Sequence, residues 1–114
     1  MHELSMVSAV VSNLEILAKK HQLTRIQEIT LEIGKMRAVV PELLLEAFEQ
    51  LAKDTPYEGA TLHIEEIDVD LECRNCEKHI ETEDSLLKGC PSCGSHRIRC
   101  LTGNELKIKT IAGE

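Results

Sequence analysis

Aromatic side chains are almost missing from this sequence, which has one Tyr, one Phe and no Trp among its 114 residues. Proteins that bind single-stranded nucleic acid stack the bases on aromatic rings, so the shortage argues against such a surface. The core must instead be built from Leu, Ile, Val and Ala. A chain of this length is expected to form one domain, or one domain with a small additional module.

Long hydrophobic runs are lacking as well. The apolar stretch that follows Ser5 is interrupted by Ser12, Asn13 and Glu15, and no basic segment precedes it. A membrane-spanning helix needs about 20 mostly apolar residues, and a secretory signal begins with a basic region. We therefore expect no membrane association and a cytoplasmic location, where reducing conditions make clustered cysteines metal ligands rather than disulfides.

Positive charge is scarce in the first part of the chain. Residues 1–70 contain 13 acidic and 6 basic side chains, whereas residues 71–114 contain 7 of each, and the formal net charge is −7. A negatively charged surface repels phosphate backbones. Nucleic acid is therefore not an expected partner.

Two amphipathic helices are predicted from apolar residues that recur at helical spacing. The first helix covers residues 4–21, and its apolar face consists of Leu4, Val7, Val10, Val11, Leu14, Leu17 and Ala18. The second helix begins at Pro41, which suits a first helical position. Its predicted buried face consists of Leu44, Leu45, Phe48, Leu51 and Ala52.

Three strands are predicted from alternating apolar and polar residues. They lie at residues 29–33, 62–71 and 106–109, and the second needs a bulge near Glu65 and Glu66 to keep its apolar residues on one face. The strands on either side of the cysteine-rich segment are expected to pair in one sheet. The predicted fold class is α+β, with two helices packed on a small three-stranded sheet and an inserted four-cysteine zinc-ribbon domain. Residues 1–70 form the first domain, a strand at 104–112 completes it, and residues 71–103 form the zinc-binding domain.

The inserted segment contains two Cys-x2-Cys pairs, Cys73 with Cys76 and Cys90 with Cys93. Each pair is typical of a tight turn that directs two thiolates at one point, and two such turns supply a tetrahedral zinc site. Four cysteine ligands leave no open position for a water molecule, so the zinc is expected to be structural. The segment has few apolar residues, chiefly Ile80, Leu86, Leu87 and Ile98, and its folding should depend on the metal.

Three further residues could take part in metal chemistry. Cys100 is the fifth cysteine, and we expect it to be a small buried side chain rather than a reactive thiol. His79 and His96 each follow the nearer cysteine pair by three residues. Either histidine could replace a thiolate, although exposed histidines without a ligand role are the more common case.

The first residues, Met1-His2-Glu3, suggest a second metal site. The terminal amine, the amide nitrogen of His2 and its imidazole can chelate one ion in a plane, and the amide or carboxylate of Glu3 could complete the set. Displacing an amide proton requires a strongly polarising ion that accepts a square-planar nitrogen field, such as Ni(II) or Cu(II). The same residues also suit the start of a helix, where an acidic side chain is favourable, so the residues alone leave both interpretations open.

Four segments in order resemble the HypA/HybF family of hydrogenase nickel-insertion accessory proteins: "MHELS", "LEIGKMRAVVPELLLEAFE", "CRNC" with "CPSC", and "TGNELKIKTI". The resemblance implies a nickel metallochaperone without catalytic activity. It assigns Met1, His2 and Glu3 to Ni(II), and Cys73, Cys76, Cys90 and Cys93 to structural Zn(II).

The resemblance also implies partners. The family acts with the GTPase HypB to supply the large subunit of [NiFe]-hydrogenase, and some members serve urease maturation. Some relatives carry a further carboxylate at the entry to the second helix, where this chain has Val39, Val40 and Pro41. Two alternatives are a zinc-stabilised adaptor that carries no nickel and, less favoured, a zinc-ribbon module that binds nucleic acid. The chain is expected to be a monomer or a weak, domain-swapped dimer.

Overall fold

A computed structural model describes residues 2–114, so Met1 lies outside the described residues. The elements in chain order are α1 (Glu3–Lys20), β1 (Ile26–Gly34), a 3-10 turn (Lys35–Arg37), α2 (Pro41–Ala52), β2 (Thr61–Ile67), β3 (Asp70–Cys73), β4 (His79–Ile80), α3 (Ser85–Lys88), β5 (Ile98–Thr102) and β6 (Leu106–Gly113). The predicted α+β class, with two main helices, a three-stranded sheet and an inserted cysteine module, is confirmed.

The chain forms two compact units. The first contains the chain up to Glu32 together with Val39–Glu65 and Leu106–Glu114, and the second contains Ile33–Ala38 and Glu66–Glu105. The short segment Ile33–Ala38 belongs to the second unit because its backbone bonds there: the Gly34 amide donates to the Glu105 carbonyl at 2.8 Å, and the Met36 amide donates to the Gly103 carbonyl at 2.9 Å. A Cβ at Gly34 would lie 2.0 Å from the Gly103 carbonyl carbon, so only glycine permits this contact.

The first sheet has the strand order β2-β1-β6. The strands before and after the cysteine module therefore share a sheet, as predicted, but they do not pair with each other: each lies beside β1. The prediction of a single strand over residues 62–71 is wrong. It is divided into β2 and β3, which belong to different sheets.

The core of the first unit is aliphatic, with Phe48 and Tyr57 as its aromatic members. The buried side chains of α1 and α2 are Met6, Val7, Val10, Leu14, Ala18, Leu44, Phe48 and Ala52. The predicted faces of the two helices are therefore right in most positions. Leu4 and Leu45 are exceptions because both are exposed, and Met6 takes a core position that the predicted stripe had left out.

The second unit contains a sheet with the order β4-β3-β5. Both neighbours are antiparallel to β3, with Leu71 opposite Ile80 on one side and Cys100 on the other. Its buried cluster is small and consists of Leu71, Cys73, Ile80 and Cys90. Of the apolar residues noted in this segment, Ile80 is buried, whereas Leu86 and Leu87 are 44% and 88% exposed.

No helix in residues 2–114 is long and apolar enough to cross a membrane.

Candidate metal centres

The four predicted zinc ligands lie together in the structure. The Sγ atoms of Cys73, Cys76, Cys90 and Cys93 all lie within 4.8 Å of one another. The closest pairs are Cys73 with Cys93 at 3.6 Å and Cys76 with Cys90 at 3.7 Å. A tetrahedral ion with bonds of about 2.3 Å to sulfur has sulfur–sulfur edges of about 3.8 Å, whereas a disulfide bond is about 2.05 Å long. The cluster therefore has the dimensions of a four-thiolate metal site.

The two cysteine turns have the same backbone hydrogen bonds. In the first, the Cys73 carbonyl accepts the Glu77 amide and the Cys73 amide donates to the Lys78 carbonyl. In the second, the carbonyl and amide of Cys90 bond in the same way to the residues four and five positions later. Each turn thus fixes its first cysteine through its backbone, which sets the direction of the thiolates before a metal binds.

The thiols differ in how readily they lose a proton. The backbone amide of Ser95 and then the side chain of Asn75 lower the pKa of Cys93 to about 6. The Lys78 amide lowers the pKa of Cys76, but burial and the neighbouring thiols outweigh it and raise this pKa to about 11. Four negative thiolates at this separation repel one another, so full deprotonation requires a bound cation. The donor set fits a divalent ion that prefers sulfur.

The residue after each Cys-x2-Cys pair adopts a left-handed backbone conformation, with φ of 64° at Glu77 and 75° at Gly94. This conformation costs a side-chain-bearing residue about 1 kcal/mol relative to glycine. We therefore expect Glu77→Gly to raise the free energy of unfolding of the second unit by about 1 kcal/mol. Gly94→Ala should lower it by about 1 kcal/mol, because the new Cβ meets no neighbour within 4 Å and adds only backbone strain. Denaturant unfolding of the zinc-loaded variants measures both changes. Equal behaviour of Glu77→Gly and wild type would contradict the expectation.

Three side chains near the cluster lie outside it. Cys100 is exposed, so the prediction of a buried thiol is wrong: it lies on β5, and its Sγ is 3.3 Å from the carbonyl oxygen of Thr102. His79 is also exposed, and its Nδ1 is 2.8 Å from Asp70 Oδ1. The Asp70 carboxylate raises the pKa of His79. His96 is exposed, and neither histidine belongs to the metal-binding group found among residues 2–114.

His2 and Glu3 stand at the start of α1, while Met1 lies outside the described residues. His2 is exposed and occupies the N-cap position. Its carbonyl accepts hydrogen bonds from the Met6 amide at 3.0 Å and from Ser5 Oγ at 2.9 Å. The backbone of His2 is therefore held by the first turn of the helix, and the residue as a whole is exposed.

Glu3 is buried, with 5% of its surface exposed, and its Oε2 accepts the backbone amide of Val40 at 3.2 Å. Sequence reasoning treated Glu3 as a helix-start residue or a nickel ligand and did not predict this contact. The one signal for it is that Val40, the N-cap of α2, cannot supply the side-chain oxygen that helix starts normally use.

The fold and the cysteine cluster define a metal-binding α+β protein with an inserted four-cysteine module. Comparison with known proteins agrees. Residues 1–113 match the family described as "Hydrogenase/urease nickel incorporation, metallochaperone, hypA". The chain is 37% identical over 114 residues to the hydrogenase maturation factor HypA of Geobacter metallireducens, and 32% identical to HybF of Klebsiella pneumoniae, with both chains covered completely in each case.

A solved structure, the Ni metallochaperone HypA from Helicobacter pylori in solution, has a TM-score of 0.74 and 29% identity, and the match covers 99% of this chain and 97% of that one. A second solution structure of a HypA protein gives a TM-score of 0.72. The chain belongs to the HypA/HybF family of hydrogenase maturation nickel metallochaperones. It is accordingly a metal-handling accessory protein and not an enzyme.

Proposed function

We propose that this chain binds Ni(II) at its amino terminus and delivers it, together with the GTPase HypB, to the large subunit of [NiFe]-hydrogenase in the cytoplasm. The observation that carries the proposal is the family match over residues 1–113, which includes the Met-His-Glu segment. In the structure, His2 is exposed at the N-cap of α1, a position compatible with a metal ion that must be released to a partner.

The nickel ligands in this proposal are the amine of Met1, the amide and imidazole nitrogens of His2, and Glu3. Chelation by adjacent nitrogens favours Ni(II), which accepts a planar nitrogen field. The amine and the imidazole must both be deprotonated, so affinity should fall in mild acid. A site at the chain terminus can be approached by another protein without opening a core, which suits transfer.

Cys73, Cys76, Cys90 and Cys93 are proposed to hold structural Zn(II). The support is the sulfur spacing, which matches a closed tetrahedral site that has no position left for a substrate or a water molecule. In this arrangement the zinc stabilises the second unit, and the carried metal is nickel.

Delivery can be tested by following nickel from one protein to the other. We expect the nickel-loaded chain, mixed with HypB, GTP and the purified large-subunit precursor, to transfer more nickel than an equal amount of free Ni(II) in the presence of a competing chelator. The measurement is the nickel content of the separated large subunit by mass spectrometry of the metal. A urease maturation protein in place of the precursor tests the other nickel client. Transfer no greater than that from free Ni(II) would contradict the carrier role.

A further inference from the structure

An open cavity lies in the first unit, where α1 and α2 both end. Its volume is about 530 Å³, which is in the range of sites that bind small ligands or single side chains. The last turns of α1, the connection to β1 and the turn that follows α2 supply its walls, and all three segments belong to the first unit. None of the proposed metal ligands lines the cavity, so it is separate from both metal centres.

Part of the cavity wall is apolar. Ala18, Leu23 and Pro56 contribute to it, and Tyr57 completes it. Tyr57 is 2% exposed, and its ring centroid lies 6.3 Å from that of Phe48 in the core. The core thus fixes the tyrosine in place. Such a wall suits the aliphatic stem of a long side chain whose charged end stays near water.

The charged groups around the cavity are mostly acidic. Glu15 and Asp54 line it, and within residues 2–114 neither carboxylate forms an ion pair. The Tyr57 hydroxyl lies 3.4 Å from Glu15 Oε1, a long contact that leaves most of the carboxylate's capacity to accept hydrogen bonds unused. Lys19 also lines the cavity and is exposed. Two carboxylates and one ammonium leave a net negative charge.

The direction of the two helices adds to this charge. α1 and α2 run the same way, because hydrogen bonds join Glu3 with Val40 near their starts and Glu15 with Tyr57 near their ends. The C-terminal end of a helix carries a partial negative charge. Two lysines in the last turn of α1 offset this charge, whereas the last turn of α2 has no basic residue. The cavity therefore favours a cation.

We propose that this cavity binds an arginine side chain of a partner protein. The stem of the arginine packs on Pro56 and Tyr57, and its planar guanidinium donates two hydrogen bonds to the Glu15 carboxylate. Arginine fits better than lysine because a guanidinium is less strongly hydrated and stacks on flat side chains. The proposal does not depend on nickel binding. A partner held here leaves the amino terminus uncovered, because that terminus lies at the other end of the helix pair.

The probe for this site is acetyl-arginine amide, and acetyl-citrulline amide is its matched analogue because it keeps the shape of arginine and removes the charge. The isotope-labelled, zinc-loaded chain is titrated with each compound and followed by NMR. We expect arginine to cause saturable shifts of the amides at residues 15–24 and 54–58, with a millimolar dissociation constant. Citrulline should bind about 10-fold more weakly, since hydrogen bonds between charged partners are the stronger ones.

Glu15→Gln should weaken arginine binding by about 10-fold. Asp54→Asn removes the second carboxylate and should also weaken binding, while asparagine suits the left-handed backbone at this position, where φ is 62°. Glu46→Gln is the control, because it removes an exposed carboxylate of α2 that does not line the cavity, and it should bind like wild type. Equal binding of arginine and citrulline, or unchanged arginine affinity in Glu15→Gln, would overturn the proposal. Shifts that saturate only at residues outside the cavity would overturn it as well.

Discussion

Replacing Cys90 with Ser is expected to abolish metal binding at the four-cysteine cluster and to unfold the second unit. The buried cluster of this unit has four members, and two of them, Cys73 and Cys90, also belong to the four-cysteine cluster. Leu71 and Ile80 alone bury too little apolar surface to offset the conformational entropy of about 40 ordered residues. Structural zinc sites contribute about 10–16 kcal/mol of apparent binding energy, which is then the folding energy of the unit.

The measurement is zinc content together with hydrogen exchange resolved by segment. Residues 70–102 should lose protection in Cys90→Ser, whereas α1 and α2 keep theirs because they have a separate aliphatic core. Cys100→Ser is the matched control: it removes an exposed thiol outside the cluster and should leave zinc content and protection unchanged. Retained protection of residues 70–102 in zinc-free Cys90→Ser would show that the unit folds without metal.

Replacing His2 with Ala is expected to reduce nickel binding from one ion per chain to almost none. The substitution removes the imidazole and breaks one chelate ring, so affinity should fall by more than the roughly 100-fold that loss of a supporting residue costs. The fold should not change, because the His2 side chain is exposed and its backbone carbonyl, which the first turn of α1 uses, remains. Equilibrium dialysis against Ni(II), with zinc measured in the same samples, gives the result.

His63→Ala is the control for this experiment. His63 is also an exposed histidine of the first unit, and its contact is with Glu28 on the neighbouring strand. It should bind nickel like wild type. Equal nickel binding by His2→Ala and His63→Ala would exclude the amino terminus as the site.

The helices were predictable because their apolar residues repeat over three or more turns, which few other structures can satisfy. Pro41 marks the start of α2 in both the sequence and the structure. Spacing alone could not predict that Met6 is buried in the core and that Leu4 is exposed. At the start of α1, Glu3 and Met6 are buried, whereas Leu4 is 56% exposed.

The sheets were harder to predict because strand pairing is set by residues far apart in the chain. Nothing local shows that β1 lies between β2 and β6. Within the cysteine module, clustered cysteines take the place of a larger apolar core, so hydrophobicity is a poor guide to burial there. Leu87 is exposed, while Cys73 and Cys90 are buried. The cysteine spacing, in contrast, predicted the cluster correctly, because each Cys-x2-Cys turn directs two thiols at one point.

The sequence and the structure give different information about the amino-terminal site. The order Met-His-Glu shows which nitrogens could chelate nickel, whereas the structure shows that His2 is exposed and Glu3 is held by Val40. Neither the chelating chemistry nor the helix contact alone would define the site.

The central claim is that nickel is bound by the terminal amine acting together with His2. The most direct test is the nickel stoichiometry of the untagged chain compared with a version that carries four additional residues, Gly-Ser-Gly-Ser, ahead of Met1. The extension converts the Met1 amine into a peptide amide, moves the new terminal amine too far from His2 for a shared planar chelate, and leaves every side chain, the four-cysteine cluster and α1 in place. We predict about one Ni(II) per chain for the unextended protein and a loss of binding for the extended one. Equal nickel binding by the two proteins would contradict the account.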